Sequence, residues 1–221
     1  QPWTGGGQHF AFWNQPVAAE RNFGMLCKAL RPLLQSDQAA AQQLDALEDG
    51  FTQAMRTELE SMWAAKLGLT SFDASLFSEL VNLMLQTEVD YTIFFRALSS
   101  LPDSLASLQK SFYREQTDEQ NRRWSQWLAD WRSRLNEQAL SAEDISAQMK
   151  RVNPKYCLRE WMLAPAYQQA AQGDYRLISE LQQVVTQPYA EQSGAVADRY
   201  YRLKPSEFQK MGGLSHMSCS S

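Results

Sequence analysis

Apolar residues recur every three to four positions along most of this chain, and that spacing most narrowly limits how it can fold. Between residues 37 and 66 the recurring residues are Leu44, Leu47, Phe51, Met55, Leu59, Met62 and Trp63. Side chains at this spacing lie on one face of an α-helix. The sequence has no alternating strand pattern of useful length and no repeat period. It therefore predicts an all-α fold, organised as a single helical region over residues 1–221.

Capping residues and chain breakers divide this region into helices. Thr117 with Gln120, and Ser141 with Asp144, are spaced as capping boxes, and Gly68 is placed as a helix stop. Residues 1–16 and 186–221 lack helical spacing and are predicted to be irregular. The predicted helices cover residues 17–34, 37–66, a segment capped by Ser71 or Asp73 and running through Met84, and residues 88–99, 118–139, 142–152, 158–171 (broken or kinked near Pro165) and 174–185.

Three tryptophans of the 118–139 helix, Trp124, Trp127 and Trp131, follow the i, i+3, i+7 pattern. This pattern favours a buried stripe on one helix face. The alternative is an exposed aromatic patch for a partner.

The chain breaks again at Asn153-Pro154, because proline lacks a backbone donor and disfavours helix at the residue before it. Lys155, Tyr156 and Arg159 follow directly. We expect Lys155 and Arg159 to lie four positions apart on the helix that resumes there and to pair with acidic residues elsewhere. Contact with another lobe of a larger protein, or with a substrate, is the alternative interpretation of Asn153, Lys155, Tyr156 and Arg159.

The residues needed for several common chemistries are missing from the sequence. Gly5-Gly6-Gly7 has neither a preceding strand nor a following Gly-Lys-Ser/Thr, so it fails the phosphate-loop pattern. The two histidines, His9 and His216, are near opposite ends, and no Cys-x-x-Cys spacing occurs. Asn22-Phe23-Gly24 has helical apolar neighbours and is interpreted as packing rather than as a kinase metal motif. No catalytic, cofactor-binding or metal-binding residue is predicted.

Composition narrows the expected partners and location. The formal net charge is −4, so no basic field for nucleic acid is expected. No apolar run reaches 18 residues, and no membrane partner is expected. Three cysteines are too few for a secreted disulfide scaffold, and a reducing, cytoplasmic location is predicted.

Several short motifs, taken in order, resemble one known family. The chain ends in Cys219-Ser220-Ser221, and Asn153-Pro154-Lys155-Tyr156 lies upstream of it. Each motif is weak alone, but the ordered set is specific, covers nearly the whole chain, and resembles the selenoprotein O family, also called the YdiU family. The other matching segments are Phe10 to Pro16, Lys66-Leu67-Gly68-Leu69, Asp90 to Leu98, the Trp124 to Leu135 helix, Gly173-Asp174-Tyr175 and Pro188-Tyr189.

The resemblance implies a larger enzyme than this chain. Members have a protein-kinase-like fold, use ATP and Mg²⁺, and transfer AMP to hydroxyls of protein side chains. Their nucleotide and metal residues lie upstream of the segment that matches Phe10 to Pro16. The chain is therefore expected to be the helical C-terminal lobe and extension of such a fold, without its ATP and metal site. Its expected partners are the missing N-terminal kinase-like half, the enzyme's protein substrates and a second copy of the fragment.

Cys219 is the redox candidate. A cysteine near a chain end is accessible for thiol chemistry, and the family resemblance implies a regulatory disulfide. The family's partner cysteine would fall in residues 1–7, which contain none. Cys27 and Cys157 lie among apolar or helical positions and are expected to be inert core residues.

Three hypotheses remain open from the sequence. The chain is the C-terminal part of a selenoprotein O-like adenylyltransferase and is inactive alone. Alternatively, it is a freestanding helical interaction module, or a redox element that uses Cys219. The sequence favours the first.

Overall fold

The computed structural model describes residues 14–208, and these form nine α-helices, three short 3₁₀ segments and no β-sheet. An isolated antiparallel bridge joins Val89 and Phe112. The all-α prediction is confirmed. The α-helices are α1 (Gln15–Leu30), α2 (Gln38–Leu67), α3 (Ala74–Gln86), α4 (Tyr91–Leu98), α5 (Asp118–Asn136), α6 (Ala142–Val152), α7 (Glu160–Ala170), α8 (Arg176–Thr186) and α9 (Gly194–Tyr200).

The described residues divide into two compact units, residues 14–60 and residues 61–208, and the division falls within α2. The prediction that residues 1–221 form a single helical region stays a prediction. The candidate residue Cys219, together with the glycine run Gly5-Gly6-Gly7 and both histidines, lies outside the described residues.

The first unit is a helical hairpin made by α1, a 3₁₀ segment at Arg31–Leu34 and the first part of α2. Phe23 of α1 stacks on Phe51 of α2 with ring centroids 4.8 Å apart. Arg31 forms ion pairs with Asp45 and with Glu48, the latter at 2.7 Å. These contacts fix the pairing of the two helices.

The predicted 17–34 helix needs two corrections. The helix α1 begins at Gln15, because Pro16 occupies its first turn, where a missing amide hydrogen costs no helical hydrogen bond. The α-helix ends at Leu30, and Pro32 lies in the 3₁₀ segment that follows. Proline fits the first turn of a helix and not its interior.

The second unit has its main core around the tryptophans of α5. Trp124, Trp127 and Trp131 are almost fully buried, so the buried-stripe prediction is confirmed. The Trp127 indole nitrogen donates to the Leu76 carbonyl at 2.9 Å, and that of Trp131 donates to the Leu67 carbonyl at 2.8 Å. Trp127 and Trp131 therefore each bind a neighbouring helical segment to α5 through a hydrogen bond as well as through apolar packing.

Gly68 shows why α2 stops where it does. Its φ is +71°, in the left-handed region that favours glycine. A Cβ atom at this position would lie 2.7 Å from Met149 Sδ and 2.9 Å from Ile145 Cγ2. The helix stop predicted at Gly68 is confirmed, and the close approach of α6 adds a second reason for glycine.

Local capping chemistry agrees with the sequence at two helix starts. Thr117 and Gln120 form a reciprocal capping box at the start of α5. Asp73 caps α3 by accepting hydrogen bonds from the backbone amides of Ser75 and Leu76. Side-chain acceptors of this kind satisfy amides that have no partner within the helix.

Three helices of the second unit, α5, α7 and α9, differ from the predictions. The helix α5 ends at Asn136 rather than at residue 139. The helix α7 begins only at Glu160, so the prediction that Lys155 and Arg159 share a helix is wrong. Pro165 lies inside α7, which is not broken there. The chain beyond Thr186 was expected to be irregular, but Ser193 caps the helix α9, whose Tyr200 is buried.

A second apolar cluster holds α7, α8 and α9 together. Its fully or nearly fully buried members include Tyr156, Trp161, Ala166, Leu181 and Tyr200. The short helix α9 is stabilised by this tertiary packing, since a helix of seven residues has little stability of its own.

Candidate functional site

Residues 153–159 form a non-helical segment between α6 and α7, and this segment contains the four family-type residues singled out in the sequence. Its backbone is fixed at two points. The Asn153 amide ends α6 by donating to the Met149 carbonyl at 2.9 Å. The amides of Lys155 and Tyr156 both donate to the Pro188 carbonyl, at 2.8 and 3.1 Å. The segment is therefore bound to the loop that follows α8.

The Asn153 side chain is completely buried and makes three hydrogen bonds. Its Oδ1 accepts from Lys66 Nζ at 2.9 Å. Its Nδ2 donates to the Lys66 carbonyl at 2.9 Å and to Ser99 Oγ at 3.1 Å. An amide can act as donor and acceptor at once, so one side chain joins the end of α2, the end of α4 and the end of α6.

Lys66 is a buried cation in the last turn of α2, with 7 % of its surface exposed. Within residues 14–208 no carboxylate lies within ion-pairing distance of its Nζ. The ammonium lies 4.8 Å from the ring centre of Phe95 and 5.3 Å from that of Tyr91. Burial lowers the pKa of Lys66 to about 8. Ring faces and one amide oxygen thus replace part of the solvation that this charge loses.

Arg96 of α4 is also buried, with 4 % of its surface exposed, and donates hydrogen bonds to four acceptors. Its Nη1 donates to the carbonyls of Lys150 and Asn153 at 2.9 and 3.0 Å. Its Nη2 donates to the Tyr189 carbonyl at 3.0 Å and to Glu191 Oε1 at 2.6 Å. The guanidinium therefore links α4, the end of α6 and the loop after α8.

Glu191 completes this arrangement by pairing with two cations. Its second oxygen, Oε2, accepts from Lys155 Nζ at 2.5 Å. Partial burial raises the pKa of Glu191, but the hydrogen bonds from Lys155 and Arg96 outweigh that effect and lower the pKa to about 2. We call Lys66, Arg96, Asn153, Lys155 and Glu191 the buried cation network.

Arg159 pairs with a different carboxylate, that of Asp90. Its Nη2 donates to Asp90 Oδ1 at 2.7 Å, and its Nη1 also contacts Oδ2. Asp90 caps α4 by accepting from the Ile93 amide at 3.0 Å, and it accepts from the Tyr113 hydroxyl at 3.1 Å. Burial lowers the pKa of Arg159, whereas the hydrogen bond and charge of Asp90 raise it, with a net increase. Arg159 is thus held as a charged group.

Two further residues of this segment, Tyr156 and Cys157, lie against neighbouring side chains and take no part in the ion pairs. The Tyr156 ring is buried in the second apolar cluster, and its hydroxyl has no hydrogen-bond partner among the described atoms. Cys157 is half-buried, with its Sγ 3.3 Å from Thr92 Oγ1. Cys27 is fully buried, as expected of a core cysteine, whereas Cys157 is not.

Asn153, Lys155 and Arg159 thus all make polar contacts across the second unit. Lys66, Arg96, Asp90 and Glu191 were missing from the sequence-derived candidates. The sequence did contain a signal for Arg96, because a charged residue within the apolar run from Ile93 to Leu98 indicates a buried charge that needs partners. Nothing local marks Glu191, whose partners lie 36 and 95 positions away.

The chemistry available here is mainly that of holding protein segments together. Lys66, Arg96 and Lys155 already donate to protein oxygens. Among the described residues, no group of three His, Cys, Asp or Glu side chains is arranged to hold a metal ion. None of the helices formed by residues 14–208 combines the length and apolar character that a bilayer-spanning segment requires.

Comparison with known proteins identifies the relatives of this chain. Residues 4–186 match the family described as "Protein adenylyltransferase SelO". A protein of Tolumonas auensis, named protein nucleotidyltransferase YdiU, is 35% identical over 97% of the chain. Proteins of the same name from Aromatoleum aromaticum and Flavobacterium johnsoniae are 35% and 32% identical over 98% and 97% of the chain. The chain spans 42% of the length of each of these relatives.

Proposed function

Because the chain belongs to the SelO family of protein adenylyltransferases, we propose that it is the C-terminal helical part of a longer enzyme. That enzyme transfers AMP from ATP to Ser, Thr or Tyr hydroxyls of proteins. The observation that carries this proposal is the pair of coverages: 97% of the chain matches a relative of which it spans 42%. In the proposed enzyme these helices form the helical lobe and extension of a kinase-like fold.

ATP and Mg²⁺ belong to the rest of that enzyme in this proposal. Nucleotide transfer requires a cradle or a lysine for the phosphates and oxygen ligands for Mg²⁺. The described residues do not fit these groups. Lys66 is enclosed by Asn153 and two aromatic rings, and Arg96 and Arg159 are engaged with protein oxygens.

The buried cation network then has an architectural role. It holds the 153–159 segment against the loop at residues 188–191, so that the helices after α6 keep one arrangement relative to α4. A lobe that supports catalysis elsewhere needs such rigidity, since catalytic geometry tolerates little displacement. The low cysteine count supports a cytoplasmic location for this enzyme.

The first test is the intact mass of the protein purified from its source cells. The proposal expects a mass well above the 25.3 kDa of this chain. A mass of 25.3 kDa would overturn it and favour a freestanding interaction module.

The second test is AMP transfer by the family-length protein. With Mg²⁺ and ATP labelled on the α-phosphate, we expect label on protein; ATP labelled on the γ-phosphate serves as the matched control and should give none. The 221-residue chain should transfer neither label. Transfer of the γ-label, or no transfer by the longer protein to itself or to a lysate, would contradict the proposal.

A further inference from the structure

The hairpin of the first unit has little core of its own. Of the described residues up to Glu60, only Cys27 and Leu44 are buried. The main core and the second apolar cluster consist of residues beyond Glu60. The hairpin thus orders two long helical stretches and a short 3₁₀ segment around two buried side chains.

The internal contacts of the hairpin do not account for its order. Fixing a backbone residue costs about 1–2 kcal/mol, whereas burying one apolar side chain contributes about 1.5–3 kcal/mol. Its ion pairs, Arg31 with Asp45 and Glu48, are exposed, and exposed pairs contribute about 0–1 kcal/mol each. A hairpin of this composition needs a further apolar surface to pack against.

The hairpin presents such a surface. A groove of about 680 Å³ is lined by Phe23, Met25 and Leu26 of α1 and by Phe51 and Met55 of α2, together with Ala19 and Asn22 of α1. Leu47 lies one helical turn before Phe51 on the same side of α2. We call the groove together with Leu47 the hairpin groove.

Three of its large side chains are more exposed than apolar side chains packed inside a domain. The exposed fractions are 63% for Met25, 52% for Leu26 and 63% for Leu47. Contiguous exposed apolar side chains mark interaction surfaces, and methionine adapts its shape to a partner. Among the described residues, this apolar surface is therefore left without a covering segment.

In the proposed enzyme, the part of the protein outside these 221 residues can supply the occupant. The family match over residues 4–186 includes the whole hairpin, yet the chain spans only 42% of the length of a relative such as the Tolumonas auensis protein. More than half of a family-length protein is thus available, at the high effective concentration of a covalently joined segment. A second copy of the chain has no such advantage at low protein concentration.

We propose that the hairpin groove is the docking surface for an apolar segment of the family-length enzyme that lies outside these 221 residues. This inference rests on the proposed function, because it requires the longer protein. Docking there completes the core of the hairpin and couples α1 and α2 to the half of the enzyme that binds nucleotide.

Thiol accessibility tests the proposal. Leu47→Cys is compared with the control Leu85→Cys, which replaces a leucine of α3 that is 75% exposed. Both are prepared in the 221-residue chain and in the family-length protein, and maleimide labelling is followed peptide by peptide so that native cysteines remain in place. We expect the thiol at position 47 to react about tenfold or more slowly in the longer protein. The thiol at position 85 should react alike in both.

A thiol at position 47 that reacts at the same high rate in both proteins would overturn the proposal. Slow reaction in the 221-residue chain as well would also overturn it, and sedimentation of that chain as a dimer would then identify a second copy as the occupant. AMP transfer is measured on the same preparations. A reactive thiol in an active enzyme refutes the docking surface alone, and a protected thiol in an inactive protein refutes the proposed function alone.

A charge in the groove gives an independent test. Leu47→Glu should lower the melting temperature of the family-length protein and leave that of the 221-residue chain nearly unchanged, because only the longer protein buries this position. Leu85→Glu should affect neither. Equal melting temperatures for the Leu47→Glu variant and the parent in the longer protein would contradict the proposal.

Discussion

Lys66 and Asn153, 87 positions apart, exchange two hydrogen bonds of 2.9 Å, one from the lysine ammonium to the amide oxygen and one from the amide nitrogen to the lysine carbonyl. Neither residue is near the other in sequence, and both are buried. The pair joins the end of α2 to the end of α6. It also leaves a positive charge inside the second unit with an amide as its hydrogen-bond partner.

Replacing Asn153 with alanine should lower the free energy of unfolding by about 3 kcal/mol. The substitution leaves Lys66 Nζ without its hydrogen-bond acceptor and removes a donor from Ser99, and an unsatisfied buried polar group costs about 1–3 kcal/mol. Urea unfolding measures the change. Asn136→Ala, at an exposed asparagine, is the matched control and should lie within about 0.5 kcal/mol of the parent.

Stability should rise with pH above 8 because of Lys66. Its folded pKa is about 8 and its unfolded value about 10.5. Between these values the unfolded state binds more protons than the folded state, so the free energy of unfolding increases with pH by up to about 3 kcal/mol. Below pH 8 the lysine is charged in both states, and the full cost of burying the charge remains.

The measurement is the difference in unfolding free energy between the parent and Lys66→Met at pH 7 and at pH 10. Subtraction removes the titration of tyrosines such as Tyr113, whose pKa is raised by burial and by the Asp90 charge. A difference that stays constant across this pH range would show that Lys66 is not buried as a titrating group.

Alanine at Gly68 should be more damaging than alanine at Gly173. Both glycines have positive φ, +71° and +84°, which costs a non-glycine residue about 1–2 kcal/mol. At Gly68 the new Cβ also meets Met149 at 2.7 Å, whereas at Gly173 nothing lies within 4 Å. We expect losses of about 3 and about 1 kcal/mol, since overpacking adds about 1–3 kcal/mol. Equal losses in thermal unfolding would mean that α6 moves aside without cost.

Trp131→Phe should cost about 1 kcal/mol more than Trp124→Phe. Both changes remove the same ring atoms from fully buried positions on α5. The Trp131 indole nitrogen donates to the Leu67 carbonyl at 2.8 Å, whereas that of Trp124 has no partner among the described atoms. The difference therefore combines the loss of the Trp131 hydrogen bond with the removal of an unpaired buried N–H at Trp124, and both effects favour the Trp124→Phe variant. If the two variants unfold at the same urea concentration, the Trp131 hydrogen bond contributes nothing net.

Local chemistry was readable from the sequence. The Thr117–Gln120 capping box and the stop at Gly68 involve residues within one or two turns, and the tryptophan stripe follows from helical spacing alone. The burial of individual apolar residues was harder to predict from the sequence. Leu26 and Leu47 have the same spacing as core residues, yet they are exposed, because spacing defines a face and does not say what covers it.

The polar contacts of the candidate site depend on folding at long range. Asn153 could be singled out because a proline follows it, but its partner Lys66 comes from a separate helix. The helix α9 was missed for a related reason. Its seven residues are too few for a periodic signal, and its burial against α7 and α8 is a tertiary effect.

The hydrogen bonds of Arg96 affect how the second unit unfolds. These four hydrogen bonds join α4 to the Lys150 carbonyl in the last turn of α6, to the Asn153 carbonyl and to the loop at residues 189–191. Opening any one of these segments leaves a buried guanidinium short of acceptors, which makes partial opening expensive. The helices after α6 should therefore not fray one by one from the end. They should exchange their amide hydrogens together with α4, as a single cooperative event.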